Sequence, residues 1–234
     1  MAFIIDPYKF GTSAPVVQNK TVDIYTGGTE YNDTDAFVPS VGNSYYETSA
    51  THVIVQANDL NALDAGAKLI TGIDVWICRG GSAGGYNTAP DYGVSDLSVF
   101  LAHTSESIMI TGDGMKTDMS QSQSTFAYDV SSRIAVRSNY SISAQSTAGW
   151  YTINFNFPYF AYDGTSNLVF SFYRNDSGYQ SGARTSFAYG NVGGVRSATN
   201  ASDSWNANPA TNAFAMQDMD AGYSYDTMNM KVNY

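Results

Sequence analysis

The stretch FPYFAYDGTSNLVFSFYRND, residues 157–176, sets an Asp-Gly pair and a run of small polar residues between two aromatic-rich segments. On its C-terminal side Leu168, Phe170 and Phe172 alternate with Val169, Ser171 and Tyr173, the period of two that sends successive side chains to opposite faces of a strand. Both sets are largely apolar, so this strand is expected near the centre of a sheet, covered on both faces. On the N-terminal side Tyr151, Ile153, Phe155 and Phe157 alternate with Thr152, Asn154 and Asn156, which predicts a half-buried strand with the first set toward the core. Pro158 has no N–H and ends that strand's ladder, Asp163-Gly164 makes the turn, and Asn167 bonds local backbone as the chain re-enters the core. Asp163, Gly164 and Asn167 are therefore read as structural turn residues rather than a metal or sugar site.

The same alternation recurs along the chain. Ile73, Val75 and Ile77 share a face in GIDVWIC, Leu97, Val99 and Leu101 in DLSVFLAH, and Ile134 and Val136 in SSRIAVRS, with Arg133 and Arg137 opposite. Further strands are expected at 22–25, 52–57 and 185–189, and in the closing DTMNMKVNY, where Met228, Met230, Val232 and Tyr234 share a face. Only NDLNALDAGA has helical spacing, predicting one short helix near 59–65 capped by Asn58 or Asp59. About ten short strands separated by turn residues predict an all-β fold, an antiparallel two-sheet β-sandwich. The Gly-rich segment 79–93 reads as a long loop, so residues 21–234 form a single sandwich domain. Residues 1–20, interrupted by Pro7 and Pro15, read as an N-terminal arm.

Composition narrows the function. Charged residues are 14% of the 234, and Gly, Ser, Thr, Asn and 18 Tyr supply turns and half-exposed sheet faces. A net charge of −10 and a pI near 4.3 exclude a phosphate-backbone partner, which selects for Lys and Arg clusters. Cys78 is the single cysteine, which leaves no internal disulfide and no thiolate zinc cluster. No segment approaches the ~20 apolar residues of a membrane span, and the N-terminus lacks the basic region and apolar core of a signal peptide. Synthesis in a cytoplasm without a signal peptide, and no membrane insertion, are the expectations.

Catalytic patterns are weak. His52 and His103 fall inside predicted strands with no G-x-S-x-G elbow, and Glu30, Glu47 and Glu106 have no diagnostic spacing, so a non-enzymatic protein is expected. No metal or other cofactor is expected. The clusters holding Asn32, Asp33 and Asp35, Asp113 and Asp118, Asp163 and Asn167, and Asp218 and Asp220 make a structural calcium ion the weaker alternative. None matches the EF-hand loop, and Asp and Asn populate turns for local reasons. GGSAGG at 80–85 lacks the Lys-Ser/Thr of a phosphate loop. Tyr86, Tyr92, Tyr179 and Trp205 lie in predicted loops, where aromatic rings stack on sugars or anchor proteins, and are the candidate ligand-binding residues.

Three blocks, residues 43–77, 97–107 and 148–179, resemble a β-sandwich domain of bacterial secreted and cell-surface proteins. Gly149-Trp150 and Tyr162-Asp163-Gly164 with Asn167-Leu168 are the specific part of that likeness. The resemblance implies a jelly-roll-like sandwich serving adhesion or glycan contact rather than catalysis. The opening MAFIIDPYKFG is similar to the start of many tailed-bacteriophage virion proteins, a short apolar run followed by Asp-Pro-Tyr, a basic residue and Phe. It implies a virion structural protein, a capsid decoration, head fibre or tail component on the surface of the phage particle. Its partners would be other virion proteins, further copies of itself and a host surface glycan. The apolar run Phe3, Ile4 and Ile5 gains stability only when buried, with Pro7 fixing its exit. Together with Tyr8 and Phe10 it is the candidate virion-docking segment. A stand-alone carbohydrate-binding or adhesion module is the alternative.

Overall fold

The computed structural model describes residues 15–30, 41, 48–78, 94–108, 133–143, 148–175, 186–191, 196–202, 222–224 and 226–234. In chain order they form β1 (Thr21–Tyr25), β2 (Thr29–Glu30), β3 (Thr48–Val55), helix α1 (Ala57–Leu60), β4 (Lys68–Ile70), β5 (Gly72–Cys78) and β6 (Val94–Thr104). There follow β7 (Ile134–Ile142), β8 (Gly149–Asn154), β9 (Phe160–Tyr162), β10 (Asn167–Asn175), β11 (Ser186–Asn191) and β12 (Ser197–Ser202). The chain closes with β13 (Gly222–Ser224), β14 (Asp226–Met228) and β15 (Met230–Asn233). No helix among these residues is long and apolar enough to cross a membrane.

Two antiparallel sheets carry the fold. One has the order β1-β15-β5-β11-β14, with β8 on the other side of β5 and β2 on β11. The second has the order β13-β12-β3-β10-β6-β7. Their facing sides interdigitate in one core, Val22, Ile73, Val75, Ile153 and Val232 from the first sheet meeting Val53, Val99, Leu101, Leu168, Phe170 and Phe172 from the second. Burying each such side chain contributes about 1.5–3 kcal/mol. β1 at one end of the chain pairs with β15 at the other, Val22 opposite Val232.

β10 lies between β3 and β6 and is buried on both faces. Behind the core, His52 Nδ1 meets Ser171 Oγ at 2.8 Å, and the rings of His52 and Phe100 each stand edge-on to Tyr173. The Arg133 guanidinium covers Phe100 at 4.3 Å. Burial, reinforced by the Arg133 charge, pushes the His52 imidazole down to about 3.

Along one flank the two sheets are laced together. Asn156 N–H donates to Val136 O at 2.8 Å, Arg137 Nη1 donates to Asn156 Oδ1 at 2.7 Å, and the hydroxyls of Tyr140 and Tyr151 meet at 3.1 Å. This lacing corrects one expectation. Phe155 is buried, but Phe157 is 84% exposed instead of facing the core. β8 ends at Asn154, Phe155 N–H turns to Thr71 O, and the chain crosses toward β7, so the period of two stops before Phe157. Ile134 is likewise exposed at the start of edge strand β7.

The helix is also shorter and earlier than the expected 59–65. α1 is a single turn whose boundary residue Gln56 makes no side-chain cap. The buried Lys68 ammonium takes the carbonyls of Leu60 at 2.8 Å and Asp64 at 2.7 Å, acceptors that a continuing helix would use itself. The Tyr234 ring lies 4.3 Å beneath that ammonium. Lys68 thereby folds 61–67 into a loop.

Candidate functional site

The crossing from β8 to β10 ends in a tightly bonded corner. β9 pairs with β4 as a small third sheet, Lys68 opposite Tyr162, and delivers the chain to Asp163. Asp163 Oδ1 accepts the N–H groups of Thr165 and Ser166, both at 2.8 Å, and Oδ2 accepts the Ser166 hydroxyl at 2.5 Å. Burial disfavours the ionised carboxyl, yet these bonds and nearby His103 outweigh it and hold Asp163 below its ordinary range. Gly164 has φ +84°, and a Cβ there would sit 2.6 Å from Ala67 N, so the corner requires glycine.

His103 lies beside this corner with its ring stacked on Tyr162 and tilted over Phe160. Its Nε2 accepts the Asp163 N–H at 3.2 Å, and the Asp163 carboxylate is 3.9 Å away. Burial lowers the imidazole's pKa while Asp163 pulls it the other way. The Ser166 hydroxyl is directed to Asp163 rather than to His103, so Ser, His and Asp meet without the nucleophile-to-base bond that acyl transfer needs. The geometry ties a corner to β6.

Asn167 departs from its expected role. Instead of bonding local backbone, its Oδ1 accepts Ala57 N–H at 2.8 Å and its Nδ2 donates to Glu106 O at 2.8 Å. The side chain caps α1 from across the domain, because β10 starts beside the point where β3 ends, Leu168 opposite Val55.

The other sequence candidates, Phe3, Ile4, Ile5, Tyr8 and Phe10 in the arm and Tyr86, Tyr92, Tyr179 and Trp205 in the loops, lie outside the described residues. So do Asn32, Asp33, Asp35, Asp113, Asp118, Asp218 and Asp220. Among the described residues, no three His, Cys, Asp or Glu side chains gather as a metal site.

A second surface lies away from the residues that the sequence marks as site candidates. On the outward side of the first sheet, Trp76 of β5 stands opposite Trp150 of β8, their rings edge to face at 5.4 Å and 83°. Lys231 Nζ lies 4.5 Å over the Trp150 ring and bridges to Asp23 at 3.2 Å. In the next row, Thr152, Asp74, Lys231 and Asp23 face one another across β8, β5, β15 and β1. Asn233 Nδ2 donates to Asp74 Oδ1 at 3.0 Å, and Asn233 Oδ1 accepts the Thr21 hydroxyl at 2.7 Å. The signal was present in the alternation: Trp76 and Trp150 occupy the positions between core residues, where a half-buried strand ordinarily carries polar side chains.

No protein-family model matches the chain, and no curated protein and no solved structure matches it.

Proposed function

We propose that this chain is a non-enzymatic structural protein of a bacteriophage particle, displayed on capsid or tail, and that residues 1–20 dock it to a neighbouring virion protein. The observation that carries the reading is the join between arm and sandwich. Lys20 is anchored three times: its N–H donates to Tyr234 O at 2.8 Å, its carbonyl accepts Tyr234 N–H at 2.9 Å, and its ammonium meets Asp64 at 2.6 Å. Val16 and Val17, just before that anchor, are 59% and 40% exposed. An apolar segment fixed at one end and open to solvent is suited to subunit addition, where a neighbour's surface covers it. The virion-like opening with Phe3, Ile4, Ile5, Tyr8 and Phe10 supports the same reading, and docking sites repeated around a symmetry axis of the particle would gather copies of the chain as a homo-oligomer.

Deletion of residues 1–12 is expected to leave the thermal midpoint of the sandwich unchanged and to abolish incorporation into particles. Normal incorporation of the deleted chain overturns the proposal. A second reading, a stand-alone carbohydrate-binding module, draws its support from the Trp-bearing outer face of the first sheet. It is compatible with display on a particle, where contact with a host glycan would be the purpose of the display.

A further inference from the structure

We infer that the outer face of β8, β5, β15 and β1, centred on Trp150, is a binding site for an uncharged glycan. The inference deepens the surface-contact reading above, on which it rests, and places the contact on a sheet face rather than in the Tyr-bearing loops.

Three features of the face select the ligand. The first is a fixed aromatic plane. Trp150 is 36% exposed although it is a large ring on a strand that, among the described residues, pairs only with β5. The Trp76 ring and the Lys231 ammonium hold the indole in place, so little side-chain entropy is lost when a ligand stacks on it. Pyranose rings offer a C–H face that packs on such a plane.

The second is the polar surround. Thr152 and Asn154 are exposed on the same side of β8, at successive steps of about 6.6–6.8 Å from Trp150. Asp74, Asn233 and Thr21, joined by hydrogen bonds across two neighbouring rows, continue the surface. Thr hydroxyls and Asn amides both donate and accept hydrogen bonds, the same dual capacity that sugar hydroxyls have. A glycan running along β8 would set one ring on Trp150 and the next against Thr152 and Asp74.

The third is charge. Lys231, the one ammonium among the described residues of the face, is matched by Asp23 at 3.2 Å and by Asp74 directly across the ladder. Two carboxylates to one ammonium, on a chain of net charge −10, repel acidic sugars and leave neutral ones favoured. The same polarity argues against a second copy of the chain as the occupant, since the core of a stable self-interface is depleted of charged residues.

The test is titration of the full chain with neutral soluble polysaccharides, namely α- and β-glucans, mannan, galactan and chitin oligomers, beside hyaluronan and a sulfated glycan. Affinity electrophoresis and tryptophan fluorescence read the binding. The expected result is retention by at least one neutral probe with a change in tryptophan emission, and weaker or absent retention by the acidic ones. Trp150→Ala should weaken binding tenfold or more while Trp150→Phe keeps part of it, both with unchanged circular dichroism and thermal midpoint. Retention by no neutral probe overturns the inference, as does retention that Trp150→Ala leaves intact or that Tyr86→Ala abolishes instead. A wild-type dimer that Trp150→Ala converts to monomer also overturns it, because a second copy then covers the face. Particle incorporation is scored separately: a chain that incorporates normally and binds no neutral glycan sinks this inference and spares the display reading, and the reverse result does the opposite.

Discussion

Asn167 Oδ1 accepts the backbone N–H of Ala57 at 2.8 Å, so a side chain at the start of β10 caps a helix 110 residues earlier in the chain. The same amide donates to Glu106 O, just beyond β6. Replacing Asn167 by Ala removes both bonds and leaves a part-buried N–H without its acceptor. A loss of about 1–3 kcal/mol is expected in urea unfolding. Asn167→Asp retains the acceptor and loses the donor, and its effect should fall between wild type and Ala.

Asp163 and Gly164 shape the corner for different reasons, and their variants should differ accordingly. Asp163→Ala strips the acceptor from Thr165 N–H, Ser166 N–H and the Ser166 hydroxyl, with an expected loss of about 1–3 kcal/mol. Gly164→Ala adds a Cβ against the Gly66–Ala67 backbone at a φ of +84°. Its expected cost is larger than that of Asp163→Ala, because backbone rather than a flexible side chain must move. Equal midpoints for the two variants would contradict this account.

Lys68 is buried with its ammonium on the carbonyls of Leu60 and Asp64 and over the Tyr234 ring. Burial lowers its pKa, opposed by the Asp64 carboxylate. Lys68→Met fills similar volume but leaves two carbonyls without their shared donor. A loss of about 2–4 kcal/mol is expected. Faster amide exchange of residues 61–67 would locate the damage in the loop that Lys68 gathers, and protection equal to wild type would refute the assignment.

His52 sets a pH dependence whose sign follows from its environment. The unfolded chain protonates it near 6.5, whereas the folded protein holds it neutral down to about 3. Between those values the unfolded state binds more protons, so stability is complete above about 6.5 and declines as pH falls toward 3. The slope for one group is about 1.4 kcal/mol per pH unit. Unfolding midpoints measured from pH 7.5 to 4 should fall, and His52→Gln should flatten the decline. A variant with the wild-type slope would show that other groups carry it.

The strands and their inward faces are largely legible in the sequence because alternation is a local property. The inward sets Ile73, Val75 and Ile77, Leu97, Val99 and Leu101, and Leu168, Phe170 and Phe172 follow directly from a period of two, and all are buried. Phe157 departs from the inward set because the period holds only while the ladder does, and the ladder ends at Asn154. The helix stops short of residue 65 because Lys68 draws off the carbonyls of Leu60 and Asp64, which nothing in the local sequence shows.

The sequence by itself determined an all-β chain, the inward-facing sets of its central strands and the place of its Asp-Gly corner. Those depend on neighbours within a few residues, where side-chain alternation and turn preference act. Only the tertiary structure decided that β8 and β10 belong to different sheets, that Asn167 caps a distant helix, and that Trp76 and Trp150 meet on an outward face. Each of these depends on which strands pair and in what register. Pairing is settled by burial across the whole core and has no counterpart in a single segment.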